Sequence, residues 1–278
     1  MLKPSPPLAC TVRDCGLWLE ARGPVLTCTR GHAYDVARSG YVNLLQPQDR
    51  RTLAAGDAKE AVAARSRLLA AGVGRQIVDG FVARAAALRL TDGAVVAELG
   101  AGGGNVLGAL AAARRISGVG IDLSTSAVAH AIRAFPDVTW VVANADRRLP
   151  LLDRSVDLVL SLHGRRNPAE CARVLTRKGW LLIGVPGRDD LIELRESVQG
   201  HGVRHDRSEA LTAEHLPWFA LVERFSLRAT HRLEPDALVD LLRGTYRGAR
   251  RSLIDRIDAL KPLEVTLATD VWLFETAR

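Results

Sequence analysis

The stretch AVVAELGAGGGN, residues 94–105, decides how the rest of the chain folds. Its first six residues are almost wholly apolar, without the polar alternation of a half-exposed strand, and read as a short strand buried on both faces. Four of the next five residues are glycine, and an apolar run to about Arg115 then reads as a helix. A buried strand, a glycine turn and a helix make the repeating half of a parallel α/β sheet.

The same alternation extends outward. SGVGID (117–122) is a second strand, and Ser124 caps a helix to Ala134. VTWVVA (138–143) and VDLVLSL (156–162) are the third and fourth strands. A helix over 168–175, closed by Lys178-Gly179, precedes WLLIGV (180–185). Beyond 185 the pattern loosens, with helices expected at 234–243 and 249–260 and a late strand, EVTLATDVWLF. Upstream, residues 58–90 are helical, broken at Gly72 and Gly74, and 46–57 are polar and turn-rich. The expected organisation is a small module at 1–45, a linker and helical segment at 46–90, and a doubly wound α/β domain at 91–278.

Composition narrows the function. The 278 residues carry a formal net charge of +7, and the basic residues are almost all Arg, with Lys only at 3, 59, 178 and 261. Guanidinium groups match phosphate bidentately, which suits a nucleic-acid partner, although Arg and Ala usage in a GC-rich genome gives the same balance. No apolar run reaches the roughly 20 residues that span a bilayer. The first ten residues lack the apolar core of a secretory signal, so a cytoplasmic location is expected.

Glycines at 100, 102 and 104, with Ala101 between them, let the backbone turn tightly and pass close to a ligand. Asp122 closes the second strand, where a carboxylate can accept ribose hydroxyls, with Leu123 beside it. A dinucleotide fingerprint needs a further glycine at the position of Asn105. Glu98, ahead of the glycines, suits a cationic or amino-bearing ligand better than a pyrophosphate. Asn144, Ala145 and Asp146, just past the third strand, are placed to meet an adenine, and Leu162 ends the fourth. The expected cofactor is S-adenosyl-L-methionine.

Cys10-x4-Cys15-x12-Cys28-x3-His32 offers four ligands in two pairs. Three thiolates and an imidazole are a donor set for structural Zn²⁺, and a module this small has too little core to fold unaided. Cys171, on a predicted buried helix, reads as a small core residue.

Cys28-Thr-Arg-Gly-His32, Tyr34 to Arg38 and Gly40-Tyr41-Val42-Asn43-Leu44-Leu45 resemble the opening of the 23S rRNA guanine-N1 methyltransferases of the RlmA and TlrB type. The resemblance continues through Gly56-Asp57, Ala64-Arg65, Leu69, Gly72, the Gly100–Gly104 loop, Arg166-Asn167-Pro168-Ala-Glu170, Arg173-Val174-Leu175 and Gly179-Trp180. It implies a class I, Rossmann-like S-adenosylmethionine-dependent methyltransferase fold with a small N-terminal zinc-binding module. It also implies 23S rRNA or a ribosomal subunit precursor as partner, methylation of guanine N1, and resistance to a ribosome-targeting antibiotic in some members. The chain departs from the family where it usually reads Phe-Ala-Pro after the fourth strand, here His163-Gly164-Arg165. Gly-His-Tyr becomes Gly72-Val73-Gly74, and Thr-Pro becomes Thr245-Tyr246.

Guanine N1 carries a proton that must leave, and His163, at the carboxyl end of the fourth strand, is the candidate base. Arg165 and Arg166 can grip phosphate or stack on a flipped base. Tyr246, Arg247 and Arg250 form a basic-aromatic cluster suited to RNA. His201, His205 and Asp206 read as a basic loop. A homodimer is compatible with the sequence, and the alternative functions are a small-molecule methyltransferase on the same scaffold and a non-catalytic RNA-binding protein.

Overall fold

The computed structural model describes residues 6–47, 57–199, 208–245 and 261–277. Tyr246, Arg247 and Arg250, the predicted helix at 249–260, the His201–Asp206 loop and most of the predicted linker lie outside these residues.

The N-terminal module is an antiparallel sheet of β1 (Glu20–Arg22), β2 (Val25–Thr27) and β3 (Ala33–Asp35). The two-residue strand β4 (Val42–Asn43) then leaves it to join the large sheet. Helices α1 (Lys59–Ala70) and α2 (Arg75–Ala86) follow. They part at Gly72 and Gly74, whose φ of +86° and +78° is left-handed backbone that glycine adopts without strain.

The expected alternation then appears: β5 (Ala94–Leu99), α3 (Asn105–Ala113), β6 (Ile116–Asp122), α4 (Thr125–Ala134), β7 (Thr139–Val142), β8 (Val156–Leu162), α5 (Pro168–Val174) and β9 (Leu175–Pro186). Ser124 caps α4, its side chain accepting from the Ala127 amide at 3.2 Å. Asn167 caps α5 in the same way, with Pro168 in the first turn. The C-terminal part supplies α6 (Ile192–Gln199), α7 (Ser208–His215), β10 (Phe219–Leu233), α8 (Pro235–Thr245) and β11 (Leu263–Thr276).

The large sheet runs β10-β11-β9-β8-β5-β6-β7-β4. Neighbours from β4 to β9 are parallel, whereas β11 lies antiparallel between β9 and β10. Strand order reverses beside β5, which places a crevice at the carboxyl ends of β5, β6 and β8. Alternate residues of the central strands divide between two cores: Ala97, Leu99 and Val159 in one, Val96, Leu158 and Leu160 in the other. The first core also takes Leu8, Cys10, Leu19, Leu26, Cys28, Val42 and Leu44 from the N-terminal module.

Two expectations change. Lys178 and Gly179 do not close a helix: α5 stops at Val174 and they lie inside β9, which pairs with β8 from Leu175 onward. The loose region after 185 holds β10, fifteen residues paired along β11. Even-numbered residues 224–232 of β10 point outward and are exposed, so only half of it carries apolar side chains.

Candidate active site and metal centre

The turn between β5 and α3 is built on left-handed glycines, with φ of +68° at Gly100, +53° at Gly102 and +81° at Gly104. At Gly104 room is also short, since a Cβ would lie 2.4 Å from the Trp140 ring. At Gly102 a Cβ would meet nothing within 4 Å, so this bend is open on its outer side. Asp122 ties the turn to the next one: Oδ2 accepts from the Gly102 amide at 2.8 Å and Oδ1 from the Ser124 amide at 2.7 Å. Each oxygen keeps lone-pair capacity for a further donor. Burial raises the Asp122 pKa, opposed by those two amides and by Arg65, while Asp57 adds to the rise.

Glu98 is almost fully buried, and its Oε2 accepts from the Leu107 amide in the first turn of α3 at 3.1 Å. Withdrawal from water pushes its pKa up to about 8, the Asp122 charge adding to the rise. The side chain expected to face a ligand therefore also fixes the start of the helix behind the glycine turn.

Past β7, the Asn144 Oδ1 accepts from the Asp146 amide at 3.0 Å, folding residues 144–146 into a turn. Ala145 is buried, Asp146 exposed, and Leu123 and Leu162 are half-buried. Arg165 reaches back to this turn, its Nε donating to both Asp146 carboxylate oxygens at 3.0 and 2.9 Å. The expected adenine loop and the expected RNA contact are thus joined by an exposed ion pair, worth little in stability but setting where Arg165 points.

The loop after β8 presses directly on the glycine turn. A Cβ on Gly164 would lie 2.2 Å from the Leu99 carbonyl oxygen, and one on Gly100 would lie 2.8 Å from Gly164 Cα. His163 sits in this loop with φ of +57°, rare for a residue with a side chain. Its Nε2 lies 2.9 Å from Thr269 Oγ1 on β11. The ring is accessible to solvent yet surrounded by protein, and that partial desolvation lowers its pKa below the ordinary imidazole range. Arg166 is half-buried, one Nη donating to the Gly164 carbonyl at 3.3 Å while its Nε has no partner among the described residues.

Sequence reasoning gave no role to Asp57, Arg65 or Thr269. Ser124 Oγ donates to the Asp57 carbonyl at 2.7 Å, Asp57 and Arg65 form an ion pair at 2.5 Å, and Arg65 continues to the Gly244 carbonyl at 2.8 Å. An acid eight residues before a helical arginine carries no local signal; only the fold sets the pair beside Asp122.

The four expected metal ligands converge. Their donor atoms all lie within 4.8 Å of one another. Cys10 Sγ and Cys28 Sγ stand 3.4 and 3.5 Å from His32 Nδ1, and Cys15 Sγ stands 3.8 Å from Cys28 Sγ. A tetrahedral zinc site, with Zn–S about 2.3 Å and Zn–N about 2.0–2.1 Å, has edges of about 3.5–3.8 Å. The donor set and its spacing fit zinc, and all four cysteines of the chain are free of disulfides. Each ligand pair, Cys10 with Cys15 and Cys28 with His32, sits at a tight turn that contains a left-handed glycine, Gly16 or Gly31. Cys171 is fully buried within the first core, as expected of a small core residue.

Residues 96–179 match the family described as a methyltransferase domain, and residues 9–53 match the zinc ribbon described as RlmA, N-terminal. The 23S rRNA (guanine(748)-N(1))-methyltransferase of Streptomyces fradiae is 36% identical over 228 residues, 81% of this chain and 80% of its own. The YxjB protein of Bacillus subtilis, assigned by name to the same activity class, is 32% identical over 270 residues, 90% of this chain and 91% of its own. Among solved structures, a chain of the complex between the Haloferax volcanii Trm112 methyltransferase activator and a methyltransferase has a TM-score of 0.52 at 21% identity. That match covers 81% of this chain and all of the other, and it shows the fold.

A parallel sheet with one antiparallel strand near its edge, a glycine turn tied to an acidic strand end, and a preceding zinc ribbon define an S-adenosylmethionine-dependent methyltransferase of class I. Within that class, the chain belongs to the family of 23S rRNA guanine-N1 methyltransferases.

Proposed function

We propose that the chain methylates N1 of a guanine in 23S rRNA, acting in the cytoplasm on the rRNA or on a ribosomal subunit precursor. S-adenosylmethionine supplies an electrophilic methyl group when bound. The chain's residues have three tasks: to hold the donor, to hold the base, and to take the proton that N1 must lose. For the first, Asp122 accepts from the ribose hydroxyls, with Leu123 and Leu162 against the nucleoside. The turn of Asn144, Ala145 and Asp146 meets the adenine, and the Gly100–Gly104 backbone, braced by Glu98, passes close to the amino-acid portion. For the second, Arg165 and Arg166 flank the loop at the mouth of the crevice, and the exposed face of the zinc ribbon, domain 1–45, receives the RNA. For Tyr246, Arg247 and Arg250, outside the described residues, the RNA-binding role rests on their basic-aromatic composition alone.

For the third task, His163 stands at the carboxyl end of β8; its lowered pKa keeps the imidazole neutral and also weakens it as a base, so position and not basicity supports the role. In the tautomer that donates Nε2–H to Thr269 Oγ1, the free lone pair is on Nδ1. Zinc, held by Cys10, Cys15, Cys28 and His32, is structural here, because four protein donors leave no open position for substrate.

The apposition of Gly100 and Gly164 supports this reading most directly, since it sets the loop of His163 and Arg165 against the cofactor turn. Among the described residues no helix is long and apolar enough to cross a membrane. A second copy would dock along the outer edge of β10, where Leu216, Trp218, Leu221 and Val222 are exposed, and sedimentation would show a dimer.

The test is incubation of 23S rRNA with labelled S-adenosylmethionine, followed by primer extension. A methyl on guanine N1 blocks Watson–Crick pairing and stops the polymerase at one nucleotide. Labelled RNA without a stop moves the methyl to another atom, and unlabelled RNA with a labelled small molecule transfers the activity to the alternative substrate class.

A further inference from the structure

The zinc ribbon grips both ends of the segment that carries the adenine-facing turn. On one side, β4 pairs in parallel with β7 at Val42–Val141 and Asn43–Val142, and the Leu44 amide donates to the Val142 carbonyl at 2.9 Å. The very next residue, Ala143, donates its amide to the Asp122 carbonyl at 3.0 Å. On the other side, Leu8 bridges Leu151, the Ala9 amide donates to the Pro150 carbonyl at 3.0 Å, and the Leu152 amide donates to the Pro7 carbonyl at 3.0 Å. Glu170 adds a hold on the Leu149 amide at 2.7 Å. Residues 143–149 therefore hang between two attachments, both of which lead to the metal ligands.

The first attachment reaches Cys10 through side chains. Tyr34 Oη lies 3.2 Å from Cys10 Sγ and accepts from the Thr11 amide at 3.2 Å. Thr11 Oγ1 donates to the Leu44 carbonyl at 2.6 Å, and Gln46 Nε2 donates to Thr11 Oγ1 at 2.9 Å. The second is shorter, since Ala9 precedes Cys10 in the chain. Four metal–ligand bonds fix Cys10 against Cys15, Cys28 and His32, so loss of the metal removes the common anchor of both attachments. Buried contacts carry the same link: Cys10, Cys28, Val42 and Leu44 share one core with Val141, Ala143, Ala145, Leu149 and Leu151.

We infer that zinc binding and cofactor binding are thermodynamically coupled in this protein, with Tyr34, Thr11 and Gln46 as positioning residues between the two sites. The inference rests on the assignment of residues 144–146 to the adenine. The ribbon thus acts on the cofactor pocket without any RNA present. Coupling is reciprocal: whatever factor zinc lends to cofactor affinity, the cofactor must lend to zinc affinity.

Calorimetry of S-adenosylmethionine binding to the full chain, RNA-free, tests this before and after zinc is withdrawn with a chelator. Removal should weaken cofactor binding roughly tenfold, within the usual range of allosteric coupling. Cofactor should slow chelator-driven zinc loss, read with a chromogenic zinc indicator. Should the stripped protein unfold, Thr11→Val and Gln46→Ala decide the matter, for they spare every metal ligand. Each should keep one zinc per chain by metal analysis and still bind the cofactor several-fold more weakly. Full zinc with unchanged cofactor affinity in both variants overturns the positioning role of Thr11 and Gln46, and unchanged affinity in folded, zinc-stripped protein overturns the coupling. Absence of cofactor binding to the zinc-loaded parent overturns the pocket assignment and the coupling with it.

Discussion

At the scale of single residues, Glu98 carries the clearest conflict between stability and site. Its carboxyl is sealed from water, holds the Leu107 amide and has a pKa raised from 4.5 to about 8. A carboxyl whose folded pKa exceeds its unfolded value binds its proton more tightly when folded. Its contribution to stability is thus complete below about 4.5 and is lost as pH rises toward about 8. The loss approaches about 1.4 kcal/mol for each pH unit inside that window. Glu98→Gln keeps an oxygen for the Leu107 amide and removes the titration. Thermal unfolding of the ligand-free protein should therefore show the variant overtaking the parent as pH climbs from 5 toward 8.5, by several degrees at the upper end. Parallel melting curves for the two proteins across that range would place the charged form of Glu98 at no cost, contrary to its burial. The sequence marks the glutamate as a candidate site residue. Its role as a brace is not marked there, since the amide it holds lies nine residues on and is brought back only by the turn.

Elements differ in how openly the chain announces them. The β5–α3 unit, the break at Gly72–Gly74 and the Ser124 and Asn167 caps follow local rules that need no tertiary information. Past the bulge at Leu221–Glu223, strand β10 also carries a period of two, with Phe225, Leu227, Ala229 and Leu233 on one side. Arginines, Thr230 and Ser226 occupy the other, and this mixture on a one-sided edge strand hid it. The site loop after β8 shows a different limit: the sequence marks it as departing from its family, and only the structure shows how. Where the family pattern has alanine, Gly164 lets the backbone close onto the Leu99 carbonyl, a contact any Cβ would break by entering to 2.2 Å. Gly164→Ala thus restores a family residue to a backbone that no longer accepts it. We expect a loss of about 1–3 kcal/mol, typical of overpacking. Weaker S-adenosylmethionine binding should accompany it, because the opposing atoms are main chain of the cofactor turn. Equal melting temperature and equal affinity would mean that the loop is free to withdraw.

Across the whole molecule, the two chemistries are segregated: a crevice at the strand ends, and a basic surface with an exposed tryptophan on the ribbon. The ribbon exposes Trp18 together with Arg13, Arg22, Arg30 and Arg38, while its ligand cysteines face inward. Not all of these arginines are equivalent. Arg22 is paired with Glu20 at 3.0 Å and Arg30 donates to the Asp14 carbonyl at 2.6 Å, which leaves Arg13 and Arg38 better placed to answer phosphate. Stacking and charge pairing leave different marks on RNA affinity. Each phosphate neutralised releases counterions and contributes about 0.7–0.9 to the slope of log affinity against log salt. A base stacked on an aromatic ring contributes about 1–3 kcal/mol and nothing to that slope. Titration of an rRNA hairpin at several salt concentrations should therefore separate the two. Arg13→Ala and Arg38→Ala should each flatten the slope by nearly one contact. Trp18→Ala should shift the line downward without tilting it, with zinc content unchanged in all three. A Trp18 variant that binds like the parent at every salt concentration would take this face of the ribbon out of the RNA interface and leave recognition to the loops around the crevice.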